Sequence, residues 1–103
     1  MENETLKKLM SGDVCDQVCN YLSLFSNPGR LKVLCRLNQG EAHVGDIVEF
    51  VGQKQSTVSQ HLRHLLLAGV VTMDKRGTRH FYSLADGRVK RTLAHLSDVA
   101  EDL

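Results

Sequence analysis

Residues 45–71, GDIVEFVGQKQSTVSQHLRHLLLAGVV, decide how this chain folds. Val44, Ile47 and Val51 recur at helical spacing and stop at Gly52, and Val58, Leu62 and Leu65 repeat the pattern and stop before Gly69. Only Gln53, Lys54 and Gln55 separate the two stripes. Two short helices joined by a glycine-containing turn predict a helix-turn-helix over about residues 44–69. If Val58, Leu62 and Leu65 face inward, Ser56, Ser59, Gln60 and Arg63 face outward, with Gln55 opening the helix. These residue types suit a DNA groove. Gln pairs bidentately with adenine, Arg with guanine, and Ser meets either a base or a phosphate. Lys54, beside the helix N-terminus, suits a phosphate.

Beyond Gly69 the periodicity changes. Val70-Val71-Thr72-Met73 and His80-Phe81-Tyr82-Ser83-Leu84 are β-prone runs flanking Lys75-Arg76-Gly77-Thr78-Arg79, which predicts a hairpin over about residues 70–84 with a cationic tip. Beside a reading helix this hairpin is a wing, and Lys75, Arg76, Thr78 and Arg79 are its candidate contacts, with His80 next to them. The charge distribution agrees. The net charge is only +1, but residues 54–82 hold five Lys or Arg against one Asp. A near-neutral body with one basic segment is the footprint of a module that grips phosphates through one face. A merely solvated Gln/Ser surface has no need of these cations.

Upstream, Val14, Val18, Leu22 and Phe25 form an apolar helical stripe, and Asn27-Pro28 starts a second helix that carries Leu31, Leu34, Cys35 and Leu37 and ends at Gly40. At the other end Asp86 caps a helix in which Val89, Leu93, Leu96 and Ala100 repeat. The expected order is α-α-α-α-β-β-α, a mainly α winged helix-turn-helix forming a single domain over residues 1–103.

The remaining features narrow the function. One modest core leaves no room for a separate catalytic domain, and no Gly-rich loop, acidic pair or oxyanion element accompanies Cys35 and His43, so the chain does not read as an enzyme. Met1-Glu2-Asn3-Glu4 is not an export signal, and the apolar run from Leu65 to Val71 is too short to cross a bilayer, so a cytoplasmic location away from membranes is expected. Three cysteines then read as reduced thiols. A winged helix that binds another protein is the competing function, and it would not require Lys75, Arg76 and Arg79.

Over nearly its whole length the chain resembles the ArsR/SmtB repressors. The resemblance rests on Asn27-Pro28-Gly29-Arg30-Leu31-Lys32-Val33-Leu34, on Val44-Gly45-Asp46-Ile47, on Gln55-Ser56-Thr57-Val58-Ser59-Gln60-His61-Leu62 and on Phe81-Tyr82-Ser83-Leu84. It implies a homodimer built from the first and last helices, about residues 5–25 and 86–101, that binds an inverted repeat of double-stranded DNA and leaves when an effector arrives. The apolar seams of those helices fit this, because a two-fold dimer buries them and sets the reading helices about 34 Å apart.

The effector is open at the level of sequence. One family metal site places cysteines where this chain has Glu41-Ala42-His43-Val44-Gly45-Asp46-Ile47, leaving His43 and Asp46 as ligand candidates. The other, on the last helix, loses its histidines to Arg88 and Val99. Leu34-Cys35-Arg36-Leu37 resembles the second helix of the family's thiol-based redox and persulfide sensors, but Glu101 stands about where their partner cysteine lies. Cys19 is a substitute partner, since Cys19 and Cys35 each lie eight residues from Asn27. Cys15 and Cys19, one helical turn apart, suit a thiophilic metal or metalloid ion better than a disulfide. Structural thiols with no small-molecule effector are the third possibility.

Overall fold

A computed structural model describes residues 3–103; Met1 and Glu2, included in the single-domain reading, lie outside the described residues. The described elements are α1 (Glu4–Met10), α2 (Gly12–Ser23), α3 (Pro28–Asn38), β1 (Ala42–His43), α4 (Val44–Val51), α5 (Gln55–Leu67), β2 (Val71–Arg76), β3 (Arg79–Leu84) and α6 (Arg88–Ala100).

Two elements correct the expected order. The first helix is broken, because Ser11 adopts an extended backbone and its hydroxyl donates to the Lys8 carbonyl at 2.8 Å, closing α1 before Gly12 opens α2. A short strand, β1, also appears between α3 and α4. It pairs antiparallel with β3, which pairs antiparallel with β2, giving a three-stranded sheet in the order β1-β3-β2. Two residues are too few to show an alternating pattern, so β1 exists through its partner rather than through local propensity.

Leu24, Val33, Leu34, Leu37, Ile47, Val51, Val58, Leu62, Leu65, Val70, Val71, Tyr82 and Val89 form one buried core. Each such aliphatic side chain contributes about 1.5–3 kcal/mol through loss of water contact. The stripes of α4 and α5 both close on α3, which is the platform of the domain. Asn27 caps α3 through its side chain, accepting from Arg30 N at 3.0 Å. The Arg30 guanidinium in turn donates to the carbonyls of Leu24 at 3.0 Å and Ser23 at 2.6 Å, which ties the end of α2 to the start of α3. Asp86 caps α6 from just outside it, accepting from Arg88 N at 3.0 Å.

The terminal helices leave apolar surface uncovered. No residue of α1 or α2 is buried, and Leu6, Leu9, Met10, Leu22, Leu96 and Val99 are exposed. Among the described residues no helix is long and apolar enough to cross a membrane.

Candidate nucleic-acid interface

The turn between α4 and α5 is made by Gly52, whose φ of 75° lets its N–H reach the Val48 carbonyl at 2.9 Å. Lys54 then takes the N-cap position of α5. Ser, Thr, Asp or Asn at that place would satisfy a first-turn N–H, but the lysine supplies no side-chain cap. The first turn contains no acidic residue. The result is a helix start with free donors, a positive dipole end and an added cation, the arrangement that attracts a phosphate.

Val58, Leu62 and Leu65 are buried, so the opposite face of α5 carries Gln55, Ser56, Ser59, Gln60 and Arg63, all exposed. The hairpin tip turns at Gly77, where φ is 63°. Lys75, Thr78 and Arg79 are exposed, and among the described residues their side chains take part in no hydrogen bond or ion pair. The structure therefore brings the predicted helix residues onto one face and leaves three of the four predicted wing residues free.

Arg76 is different. Its terminal nitrogens donate to both carboxylate oxygens of Glu41, at 2.7 and 2.8 Å, its Nε donates to Asp74 at 2.8 Å, and its guanidinium lies 4.6 Å from the Phe81 ring centre. These bonds hold its pKa above the ordinary arginine value, Glu41 contributing most. Arg76 thus ties the wing to Glu41, the residue before β1, and among the described residues it is the one predicted wing cation engaged within the chain. Glu41, thirty-five residues away in sequence, was not legible as its mate.

The position of α5 depends on a close approach at Gly29. A Cβ there would lie 2.5 Å from Gln53 Oε1 and 2.6 Å from His61 Nε2. Those two groups are themselves hydrogen-bonded at 3.2 Å. Partial burial and the nearby charges of Arg30 and His64 push the His61 pKa below its usual value. The half-buried His61 thus packs the reading helix against the start of α3.

The three thiols are free and meet different neighbours. Cys19 is exposed beside Cys15, whose charge and hydrogen bond raise its pKa. Cys35 is half-buried in a cavity of about 410 Å³ with Leu31, Leu93 and Leu96, and burial alone raises its pKa. Eight-residue counting from Asn27 does not put Cys19 among the lining of that cavity. His43 pairs with Asp46 at 2.8 Å, which lowers the Asp46 pKa. Among the described residues no three His, Cys, Asp or Glu side chains gather as a metal-binding group, so Cys15 and Cys19 do not join His43 and Asp46 within one chain.

A two-helix unit on an α-helical platform, followed by a two-stranded hairpin with an exposed cationic tip, defines a winged helix-turn-helix. Comparison with known proteins narrows the class. Residues 27–73 match the family described as bacterial regulatory protein, arsR family. The chain is 39% identical over 77 residues to the HTH-type transcriptional regulator NmtR of Mycobacterium tuberculosis, covering 75% of this chain but only 64% of that one. It is 31% identical over 91 residues to the biofilm growth-associated repressor of Xylella fastidiosa, covering 85% of this chain and 80% of that one. Among solved structures it resembles the homodimeric winged helix-turn-helix DNA-binding domain of a possible ArsR-family regulator from Mycobacterium bovis, with a TM-score of 0.77, 33% identity, and coverage of 87% and 83%. The chain belongs to the ArsR family of bacterial transcriptional regulators.

Proposed function

We propose that this chain is a homodimeric repressor that binds an inverted-repeat operator through α5 and the wing and is released by a change at its thiols. The observation that carries the DNA reading is the uncapped start of α5, with Lys54 at the cap and Gln55, Ser56, Ser59, Gln60 and Arg63 exposed along one face. The exposed apolar residues of α1, α2 and α6 support the dimer, and the solved relative from Mycobacterium bovis is homodimeric. Retention of an inverted-repeat genomic fragment, with affinity falling steeply as salt rises, is the expected result. Failure to retain any fragment would favour a protein-binding winged helix.

For the signal, Cys35 is the central thiol, because it lies between α3 and α6, where a change in volume or charge acts on an interface helix. Cys19 is its proposed partner, and a disulfide between them would link α2 to α3. A hydroperoxide then takes two electrons and two protons from the thiols and leaves as alcohol and water, while in the persulfide case the Cys35 thiolate attacks the outer sulfur of a persulfide donor, whose S–S bond breaks so that the donor leaves as its thiol. The test compares reduced protein with peroxide- and polysulfide-treated protein by DNA binding and intact mass. Unchanged mass and affinity, or a full response in Cys35→Ser, would refute this assignment. The contact between Cys15 and Cys19 favours one second reading, a soft metal or metalloid ion held by both thiols. In that case Cys15→Ser, and not Cys35→Ser, abolishes the response.

A further inference from the structure

The register of the sheet gathers charged groups on the side away from the core. Ala42, Val71 and Tyr82 are buried. Because neighbours along a strand point in opposite directions, Glu41, His43, Asp74, Arg76, Phe81 and Ser83 share the other side. None of them lies on α1, α2 or α6. Asp74 is the one acid in residues 54–82, and Glu41 sets a second carboxylate beside it. An acid near a phosphate-facing tip opposes DNA, so these two serve another purpose.

Both are spent on Arg76. Glu41 accepts two bonds from its terminal nitrogens, at 2.7 and 2.8 Å, and Asp74 accepts one from its Nε at 2.8 Å. The Ser83 hydroxyl stands 3.5 Å from the same Glu41 carboxylate. Arg76 ends β2, and its guanidinium lies 4.6 Å from the centre of the Phe81 ring. That ring is 5.9 Å from the ring of His43, which occupies the N-cap position of α4 and bonds Asp46 at 2.8 Å. A continuous strut thus runs from the wing tip to the first helix of the helix-turn-helix, which packs against α5.

We propose that Glu41 is a positioning residue for DNA binding: by fixing Arg76 it holds the wing at one angle to the reading helix. This role rests on the operator reading. A two-stranded hairpin tied only by its own strands is marginally ordered, and Lys75 and Arg79 must then be ordered at the moment they meet the backbone. With the strut in place the ordering precedes the DNA. Glu41 therefore strengthens binding although its charge repels the ligand, and this sign separates positioning from plain electrostatics.

The test uses Glu41→Ala in the full chain, with an inverted-repeat duplex retained by the parent protein as the probe. Fluorescence anisotropy is expected to show affinity falling about threefold to tenfold, the scale of one side chain ordered at an interface. The salt slope is expected to stay unchanged, because Lys75 and Arg79 still reach phosphates. Removal of a repelling charge alone gives the opposite result, a rise in affinity. In Glu41→Ala/Arg76→Ala the loss should be no larger than in Arg76→Ala, since one strut breaks only once. Amide NMR relaxation of the free protein is expected to show Gly77 and Thr78 loosening toward an order parameter of about 0.6 while α5 stays rigid. Affinity that holds or rises, additive losses in the double variant, or a tip no more mobile than the parent's would each overturn the proposal. If the parent retains no duplex, the operator reading fails, while the relaxation measurement still decides whether Glu41 orders the wing.

Discussion

Gly29→Ala tests whether α5 is held by a close approach to α3. The added methyl meets Gln53 Oε1 at 2.5 Å and His61 Nε2 at 2.6 Å, separations that real side chains do not sustain. Gln53 is flexible and can swing away, but it then loses its hydrogen bond to His61, a cost of about 0.5–1.5 kcal/mol. The ring must also move within a packed surface, a strain of about 1 kcal/mol, the low end for overpacking. Alanine returns about 0.5–1 kcal/mol because glycine is a poor helix residue. The net expectation is destabilisation by roughly 1 kcal/mol, lowering Tm by about 4–8 °C in a domain of this size. Thermal melts at fixed protein concentration measure it, since a dimer's Tm depends on concentration. His61→Ala should remove most of the cost, and a double-mutant cycle reads that coupling directly. A Gly29→Ala protein more stable than its parent, or a cost undiminished beside His61→Ala, would refute the close approach.

Three other outcomes are expected. Lys54→Ser supplies the missing cap of α5, so it should raise stability by up to about 1 kcal/mol while weakening DNA binding and reducing the slope of log affinity against log salt by about one, read by thermal melts and fluorescence anisotropy. Arg79→Ala should likewise lower that slope by about one. Arg76→Ala should weaken binding with little change in slope, because its charge is already spent on Glu41 and Asp74. The depressed pKa of His61 makes its contribution to stability full above its ordinary value of 6.5 and progressively lost as pH falls below it, when the unfolded chain takes up the proton first. Melts across that range should show a shallower decline in His61→Gln.

The reading helix and wing were legible because each rests on local periodicity. Val58, Leu62 and Leu65 fix the inward side of α5, and that alone places Ser59, Gln60 and Arg63 outward. The turn glycines Gly52, Gly69 and Gly77 all adopt the positive φ expected at element boundaries. What escaped the sequence depends on pairs distant in the chain. β1 exists through its register with Phe81 and Tyr82, and the Glu41–Arg76 clamp joins an exposed acid to a cation that local pattern reads as a wing contact. The packing of His61 is set by Gly29 and Gln53, not by its own helix, so its local pattern does not record it. The Ser11–Gly12 break depends on one hydroxyl bonding backward, which the stripe from Val14 to Phe25 does not record.

The lysine at the N-cap of α5 carries a consequence beyond affinity. A helix that begins without a side-chain cap is left unfinished by its own sequence, and its first turn is the part most readily frayed. On the operator reading, the phosphate that docks there is the missing cap. Ordering of the first turn and capture of the backbone are then a single event, and hydrogen exchange at the amides of Gln55 and Ser56 would slow on operator binding far more than at Leu65, which is already sealed in the core.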